Sequence, residues 1–276
     1  MDIQVHRHCK NVPLAAEGSV VAIGSFDGVH KGHQQVLELA LNKAKELNLP
    51  CIVLTFAPHP RQVLGFESGP WQVSTFRQKV ELLNKLGVDA LYVIRFTKAY
   101  AHTTAESFIT ETLAQTLHAK HVVVGEDFKF GYKRAGDTAL LEAEGEKQGF
   151  TVDALSKVVC TEDERYASSR IRKLLLQGDT KAAKEVLGRP FLCIVNLRED
   201  DQLNLTASLK RYTALKNGVY WAVIRYTSAS GDIFAATIPV VVKENAVFIR
   251  PLAEMPDIPE GRHRLEFLET VSEERI

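Results

Sequence analysis

Short apolar runs alternate with helical patterns along the first two thirds of the chain. The apolar runs are residues 20–23, 51–56, 90–96 and 121–125. Continuous apolar runs of this length are typical of strands buried on both faces of a parallel sheet. Apolar residues recur at helical spacing in between, most clearly at Leu37, Ala40, Leu41, Ala44 and Leu47. The alternation predicts an α/β fold with a doubly wound parallel sheet and right-handed crossovers.

The pattern changes from Phe191 onward. Short β-rich runs such as FLCIVNL, GVYWAVIRY and IFAATIPVVV are separated by polar turns. Runs of this kind predict an antiparallel, barrel-like module that is smaller than the first domain. We therefore expect two domains, residues 1–187 and residues 188–276.

The stretch from Val20 to His33 combines a buried strand, a break at Gly24 and a helical pattern from Gln34. A strand, a tight turn and a helix N-terminus present backbone N–H groups and a positive helix dipole, which suit a phosphate group. His30 and His33 lie three residues apart, so both imidazoles can face one anion. Two ordinary histidines, or half a metal site, are the alternatives, and no Cys, Asp or Glu cluster with ligand spacing supports the metal.

The string GSFDGVHKGH resembles the H-x-G-H signature of the nucleotidylyltransferases, in the form typical of prokaryotic FAD synthetases. The resemblance implies a Rossmann-like nucleotidylyltransferase domain in which His30 and His33 are catalytic. The glycines of the string would let the main chain approach a ligand closely. The nucleotide-binding residues that the resemblance implies here are Gly24, Ser25, Phe26, Asp27, His30, Gly32 and His33.

A second motif, T-F-A-P-H-P, follows the strand at residues 51–56. Loops at the carboxyl ends of parallel strands form the ligand crevice of an open α/β sheet, so this loop should lie beside the first one. The motif is similar to the F-x-P-H-P element of FAD synthetases, although a stiff turn with an incidental histidine is the alternative. The flavin-binding residues that the resemblance implies are Phe56, Pro58, His59, Pro60 and Phe128.

Phe128 belongs to a third segment, Gly125 to Asp137, in which aromatic residues alternate with polar ones. Aromatic faces suit adenine or a flavin ring, and Lys129, Lys133 and Arg134 could meet phosphate. The segment resembles the V-G-x-D-F-x-F-G element of FAD synthetases, which implies that Asp127 and Gly131 contact the nucleotide. A glycine-rich hairpin with a solvated basic face is the alternative.

The fourth motif, residues 165–172, enters a predicted helix, and Ser168 or Ser169 can cap it. Hydroxyls, N–H groups and arginines at a helix start also make a phosphate site. The string is similar to the S-S-T-x-x-R motif of the superfamily, with Ala167 replacing the first serine. The resemblance implies a catalytic Arg165 and a nucleotide site at Ser168, Ser169 and Arg172.

The second domain resembles a degenerate riboflavin kinase module. Residues 217–220 are similar to its G-V-Y-A-V strand, but the G-x-P-T-A-N signature is reduced to residues 204–208, with Ser208 in place of its asparagine. A hydroxyl is a poorer Mg²⁺ ligand than a rigidly held amide oxygen, and only Glu244 is a weak candidate for the base. We therefore expect that this module has no kinase activity.

Charge and cysteine usage exclude several function classes. Lys plus Arg equals Asp plus Glu at 34 each, so no broad nucleic-acid or membrane surface is indicated. Four scattered cysteines indicate a reducing compartment, and the N-terminus has no apolar leader segment. These features predict a cytoplasmic protein whose partners are small molecules, with no nucleic acid and no membrane; they leave its oligomeric state unknown.

Together, the resemblances imply an FMN adenylyltransferase that uses ATP and FMN as substrates and Mg²⁺ as cofactor, with no metal site built by the protein. Three alternatives stay open. The chain could be a bifunctional enzyme that also phosphorylates riboflavin, a transferase for pantetheine phosphate or a polyol phosphate, or a non-catalytic regulator that binds flavin or nucleotide.

Overall fold

The chain forms two compact units in the computed structural model. The described residues are 2–66, 71–156, 159–161, 164–227, 233–250, 255 and 258–271, with backbone alone for 159–161, 164, 165 and 227. Contacts divide the chain into Met1–Ser68 with Phe76–Arg165, and Gly69–Thr75 with Tyr166–Ile276. This division is based on contacts within each unit. It does not test the predicted domain boundary between residues 187 and 188, which stays a prediction.

The first unit contains a six-stranded sheet with the order β1-β4-β3-β2-β5-β6. Its strands are β1 (Gln4–Arg7), β2 (Ser19–Ile23), β3 (Cys51–Ala57), β4 (Ala90–Arg95), β5 (Ala119–Gly125) and β6 (Thr151–Leu155). Every neighbouring pair of these strands is parallel. The predicted parallel α/β sheet is therefore confirmed, with β1 added at one edge.

Helices connect these strands, as the alternating pattern predicts. They are α1 (Lys31–Leu47), α2 (Pro60–Val63), α3 (Phe76–Lys85), α4 (Ala105–Ser107), which continues as a π-helix over Phe108–Thr116, and α5 (Thr138–Gln148). A short hairpin of β7 (Val159–Thr161) and β8 (Glu164–Arg165) follows the sheet.

Strand β2 shows why continuous apolar runs predict this architecture. All five of its residues are buried, and successive side chains point to opposite faces of a sheet. Val20 and Ala22 belong to the apolar cluster that contains Leu37 of α1, whereas Val21 and Ile23 belong to a second cluster. A strand between two apolar layers needs apolar residues at every position.

Two helix starts differ from the sequence prediction. Helix α1 begins at Lys31, three residues before the predicted start at Gln34, because the side chain of His30 caps it. Thr104, not Thr103, is the N-cap of α4, where its hydroxyl oxygen accepts the N–H of Ser107 at 3.1 Å. In the sequence, Thr103-Thr104-Ala105-Glu106 fits a capping box that would begin at Thr103, and this prediction is wrong by one residue.

The second unit contains two helices and a closed six-stranded barrel. The helices are α6 (Ser168–Gln177) and α7 (Thr180–Leu187), and the strands are β9 (Phe191–Glu199), β10 (Leu205–Ser208), β11 (Gly218–Thr227), β12 (Ile233–Lys243), β13 (Ala246–Ile249) and β14 (Gly261–Thr270). All barrel neighbours are antiparallel, in the order β10-β13-β12-β11-β14-β9. The predicted second, smaller β-barrel-like module is confirmed.

Among the described residues, none of the helices combines the length and the apolar content that a membrane crossing requires.

Candidate functional site

The order of the strands brings three of the predicted motifs to one edge of the sheet. Strands β2, β3 and β5 are parallel, and β2 lies between the other two. The chain builds β3 and β4 on one side of β2, and then β5 and β6 on the other. Ligands of open α/β sheets bind beyond the carboxyl ends of the strands at such a reversal. The loops after β2, β3 and β5 carry the three motifs.

The turn between β2 and α1, residues 24–30, is tied to its neighbours by hydrogen bonds. The N–H of Gly24 donates to the carbonyl oxygen of Leu54 at 3.1 Å, so this amide already has a partner. The hydroxyl of Thr55 donates to the carbonyl oxygen of Ser25 at 3.2 Å. Gly28 has a φ of 78°, which a glycine adopts without steric cost. We call this segment the β2–α1 turn.

The rings of His30 and His33 stack at the start of α1. Their centroids are 3.6 Å apart and their planes differ by 18°. The Nδ1 atom of His30 accepts the backbone N–H of His33 at 3.3 Å. The ring of Phe26, which is 1% exposed, lies 5.2 Å from that of His33. The structure therefore confirms that the two predicted imidazoles lie together.

The environment keeps His33 neutral near pH 7. Burial lowers the pKa of His33 well below its ordinary value, and the neighbouring charges of His30 and Lys79 lower it further. The Nδ1 atom of His33 is buried and has no hydrogen-bond partner among the described residues. A buried polar atom without a protein partner is commonly satisfied by water or by a ligand.

Lys79 reaches the β2–α1 turn from α3 and is a residue of the candidate site that the motifs do not include. Its Nζ donates to the carbonyl oxygen of Ser25 at 2.6 Å. Burial lowers the pKa of Lys79 to about 8, although the charge of Asp27, which is 4% exposed, acts in the opposite direction. One sequence signal could have found it, because Lys79 falls at helical spacing between Phe76 and Leu83 on the apolar face of its helix.

The P-H-P loop after β3 gives His59 a structural contact. Its Nδ1 accepts the N–H of Arg61 at 3.2 Å and thereby caps α2. The peptide bond between Ala57 and Pro58 is cis. Phe56 is half-buried and meets Phe96 edge to face, with centroids 5.9 Å apart. His59 therefore has a local structural contact, and the flavin contacts of this loop stay a prediction.

The loop after β5 presents a stacked aromatic pair. The rings of Phe128 and Phe130 are 5.2 Å apart with planes at 15°. Phe130 is buried, whereas Phe128 is half-buried and Asp127 is exposed. Lys129 donates to the carboxylate of Asp137 at 3.1 Å, so its amine pairs with the cap of α5. Part of the aromatic alternation therefore serves the core, whereas Phe128 is partly exposed and Tyr132 is exposed.

The fourth motif lies mainly in the second unit. Helix α6 begins at Ser168, and its N-cap is Ala167, whose side chain makes no capping hydrogen bond. The predicted cap by Ser168 or Ser169 is therefore wrong. The guanidinium of Arg172 lies 4.9 Å from the centroid of the Trp71 ring in the same unit. The side chain of Arg165 lies outside the described residues, and the phosphate roles of all four residues stay predictions.

The sequence matches known proteins over most of its length. A sequence model of the FAD synthetase family matches residues 12–170. The bifunctional riboflavin kinase/FMN adenylyltransferase of Haemophilus influenzae is 35% identical over 239 residues, which cover 84% of this chain and 77% of that protein. The protein of the same name from Escherichia coli K12 is 33% identical over 211 residues, or 74% of this chain and 67% of that protein.

Solved structures also resemble the chain. A crystal structure described as a macrolide-efflux protein from Streptococcus pneumoniae aligns with a TM-score of 0.80 at 25% identity and covers 98% of this chain and 91% of that one. The family match includes the β2–α1 turn, the P-H-P loop and the loop after β5, which are the segments that the strand order brings to one edge. The chain belongs to the FAD synthetase family.

Proposed function

We propose that the protein is an FMN adenylyltransferase. A phosphate oxygen of FMN attacks the α-phosphorus of ATP, the new P–O bond joins AMP to FMN as FAD, and the bond to the β-phosphate breaks to release pyrophosphate. The stacked pair of His30 and His33 at the start of α1 carries the proposal, because it lies inside the segment that matches the FAD synthetase family.

The two imidazoles would stabilise the charge that develops on the α-phosphate. Transfer reactions at phosphorus depend mainly on positioning and on electrostatic stabilisation. A neutral imidazole can donate one N–H to a phosphate oxygen, and the low pKa of His33 favours this form. The amide of Gly24 already donates to Leu54. We therefore assign Gly24 the close approach of the main chain to the ligand, and not a hydrogen bond to phosphate.

The other predicted residues complete the proposed site. Asp127 and Gly131 would contact the nucleotide. Arg165, Ser168, Ser169 and Arg172 would hold the β- and γ-phosphates of ATP, with Ala167 removing one hydroxyl donor from the family motif. Phe56, Phe128 and the loop Pro58–Pro60 would line the flavin site. The partial exposure of the Phe56 and Phe128 rings supports this assignment.

Mg²⁺ belongs to the proposal as a companion of ATP. The described residues contain no group of three or more His, Cys, Asp or Glu side chains suited to a metal. Mg²⁺ keeps several waters and is commonly bound through substrate phosphates. It would neutralise part of the triphosphate charge, and we assign it no protein ligand.

Pyrophosphate release from ATP, measured with and without FMN, tests the function. We expect release that depends on FMN and is matched by an equal amount of FAD. A panel with pantetheine phosphate and polyol phosphates separates the related transferases. Tight flavin binding without pyrophosphate release would instead identify a regulator and overturn the proposal.

The proposal includes a barrel without riboflavin kinase activity. Thr206, the residue retained from the kinase signature, donates to the carbonyl oxygen of Arg198 at 3.4 Å. The hydroxyl oxygen of Ser208 accepts the N–H of Lys210 at 3.2 Å. Both hydroxyls thus serve the local backbone, which supports a structural role for β10.

A cytoplasmic location is the remaining part of the proposal. Cys9, Cys51 and Cys193 are free thiols, as expected for a reducing compartment.

A further inference from the structure

Lys79 contacts the β2–α1 turn from a helix that contains none of the predicted motifs. Its Nζ and the hydroxyl of Thr55 both donate to the carbonyl oxygen of Ser25, at 2.6 Å and 3.2 Å. Thr55 is completely buried in the second half of β3. One charged and one neutral donor therefore fix the same backbone oxygen, five residues before His30.

The charged groups that act on Lys79 and on its neighbour His33 lie in the β2–α1 turn. Asp27 stabilises the ammonium form, and the positive charge of Lys79 acts on His33 together with the charge of His30. The titratable groups that act on this amine and on His33 are thus Asp27 and His30, both of which are 4% exposed. Burying an ammonium group is unfavourable unless it is paired, so packing alone does not explain a lysine at this place on an apolar helix face.

We propose that Lys79 is a positioning residue for adenylyl transfer: its hydrogen bond to Ser25 holds the β2–α1 turn in place beside the pair of His30 and His33. The inference rests on the proposed function, because it assigns Lys79 to the site of that reaction. A neutral His33 keeps one N–H donor and one lone pair in a buried position, whereas an imidazolium there would add a second cation beside Lys79.

Two substitutions separate the charge of Lys79 from its size. Lys79→Met removes the charge and the donor, and we expect it to lower kcat for FAD formation about 100-fold, as a displaced catalytic group does. Lys79→Arg keeps both, and we expect it to restore most of the rate. Lys85→Met makes the same chemical change at an exposed position of the same helix and should turn over as the wild type does.

The pH profile adds a readout that a purely structural role would not move. Because the pKa of Lys79 is about 8, its hydrogen bond to Ser25 loses the charge on the donor as the pH rises through that value. The kcat of the wild type should fall over the same range. The guanidinium of the Lys79→Arg variant stays charged there, so its profile should remain flat to higher pH. An unchanged alkaline limb in this variant would overturn the assignment.

The titration of His33 by NMR, in protein without substrates, tests the coupling independently of turnover. The pKa of His33 should rise in Lys79→Met and stay near the wild-type value in Lys79→Arg. Wild-type kcat in Lys79→Met, or an unchanged His33 titration, would refute the inference. If Lys79→Met does not fold, Lys79→Gln provides the neutral variant. Should the wild type make no FAD, the proposed function fails, while the titration still decides whether Lys79 controls His33.

Discussion

The Nδ1 atom of His30 accepts the backbone N–H of His33 at 3.3 Å. An accepting nitrogen carries no proton, so neutral His30 holds its proton on Nε2. The bond also makes His30 the N-cap of α1, where backbone N–H groups and the helix dipole favour an anion. His30 therefore caps α1, and the same hydrogen bond fixes the tautomer of its own imidazole.

Replacing His33 with alanine should reduce catalysis much more than stability. Removing a donor that is directed at developing charge typically costs about two to three decades in rate, so we expect kcat for FAD formation to fall by about 100- to 1000-fold. Steady-state kinetics with saturating ATP and FMN measure this loss. His6→Ala, on the edge strand β1, is the matched control and should keep wild-type turnover.

The double variant with alanine at His30 and His33 tests the assigned roles most strictly. It removes both imidazoles and the cap of α1. Near-native turnover of this variant, with circular dichroism showing a folded protein, would contradict the role that we give to the pair.

The barrel should not convert riboflavin to FMN. Incubation of the protein with riboflavin and ATP, followed by chromatography of the flavins, should give no FMN above the background of a sample without protein. The hydroxyls of Thr206 and Ser208 are bonded to the local backbone, and the kinase motif lacks its asparagine. FMN that accumulates in proportion to protein concentration would establish the bifunctional alternative.

Local patterns in the sequence predicted most of the fold. Buried strands such as β2 need apolar residues at every position, so the parallel sheet is visible as continuous runs. The turn chemistry and the three-residue spacing likewise identify His30 and His33. These features depend on residues that are close in the chain, which is why sequence reasoning finds them.

Local sequence patterns do not reveal contacts between segments that are far apart in the chain. Lys79 lies 54 residues from Ser25, to which it donates, and no local pattern reports that pairing. The start of α1 at Lys31 was missed because histidine is not among the favoured N-cap residues. The start of α6 was predicted with a serine cap, although the cap position belongs to Ala167.

Gly131, in the loop after β5, should resist substitution for a steric reason. Its φ is 71°, and a Cβ atom there would lie 2.7 Å from the backbone nitrogen of Ala105. Gly87 also has a positive φ, of 89°, but a Cβ atom there would meet nothing within 4 Å. Both positions therefore strain the backbone of an alanine substitution. Gly131 adds the clash with Ala105 and a ψ of 176°, a conformation that is essentially restricted to glycine.

Urea unfolding of the two alanine variants measures the difference. Gly87→Ala should lower the free energy of unfolding by about 1–2 kcal/mol, the cost of a left-handed conformation. Gly131→Ala should lose a further 1–3 kcal/mol, roughly the cost of overpacking. Equal losses at the two positions would show that the loop moves away from Ala105 without penalty.

His121 links β5 to β6 through both nitrogens of its ring. The side chain is buried, with Nδ1 2.7 Å from the hydroxyl of Thr151 and Nε2 3.1 Å from the carboxylate of Asp153. One neutral tautomer satisfies both contacts, because Nε2–H can donate to Asp153 while Nδ1 accepts from Thr151. Burial lowers the pKa of His121, and Asp153 opposes that shift without overcoming it.

The lowered pKa makes the stability of the protein depend on pH in a defined direction. Between the unfolded value of about 6.5 and the lower folded value, the unfolded chain binds more protons than the native one. The contribution of neutral His121 is therefore complete above about pH 6.5 and is lost as the pH falls through the folded pKa. His121→Gln should reduce the slope of unfolding free energy against pH in this acidic window, as measured by urea unfolding. Thr151→Val is the control because it keeps the imidazole: it should retain the slope and lower the free energy of unfolding by about 1 kcal/mol. A wild-type slope in His121→Gln would assign the acid sensitivity to other groups.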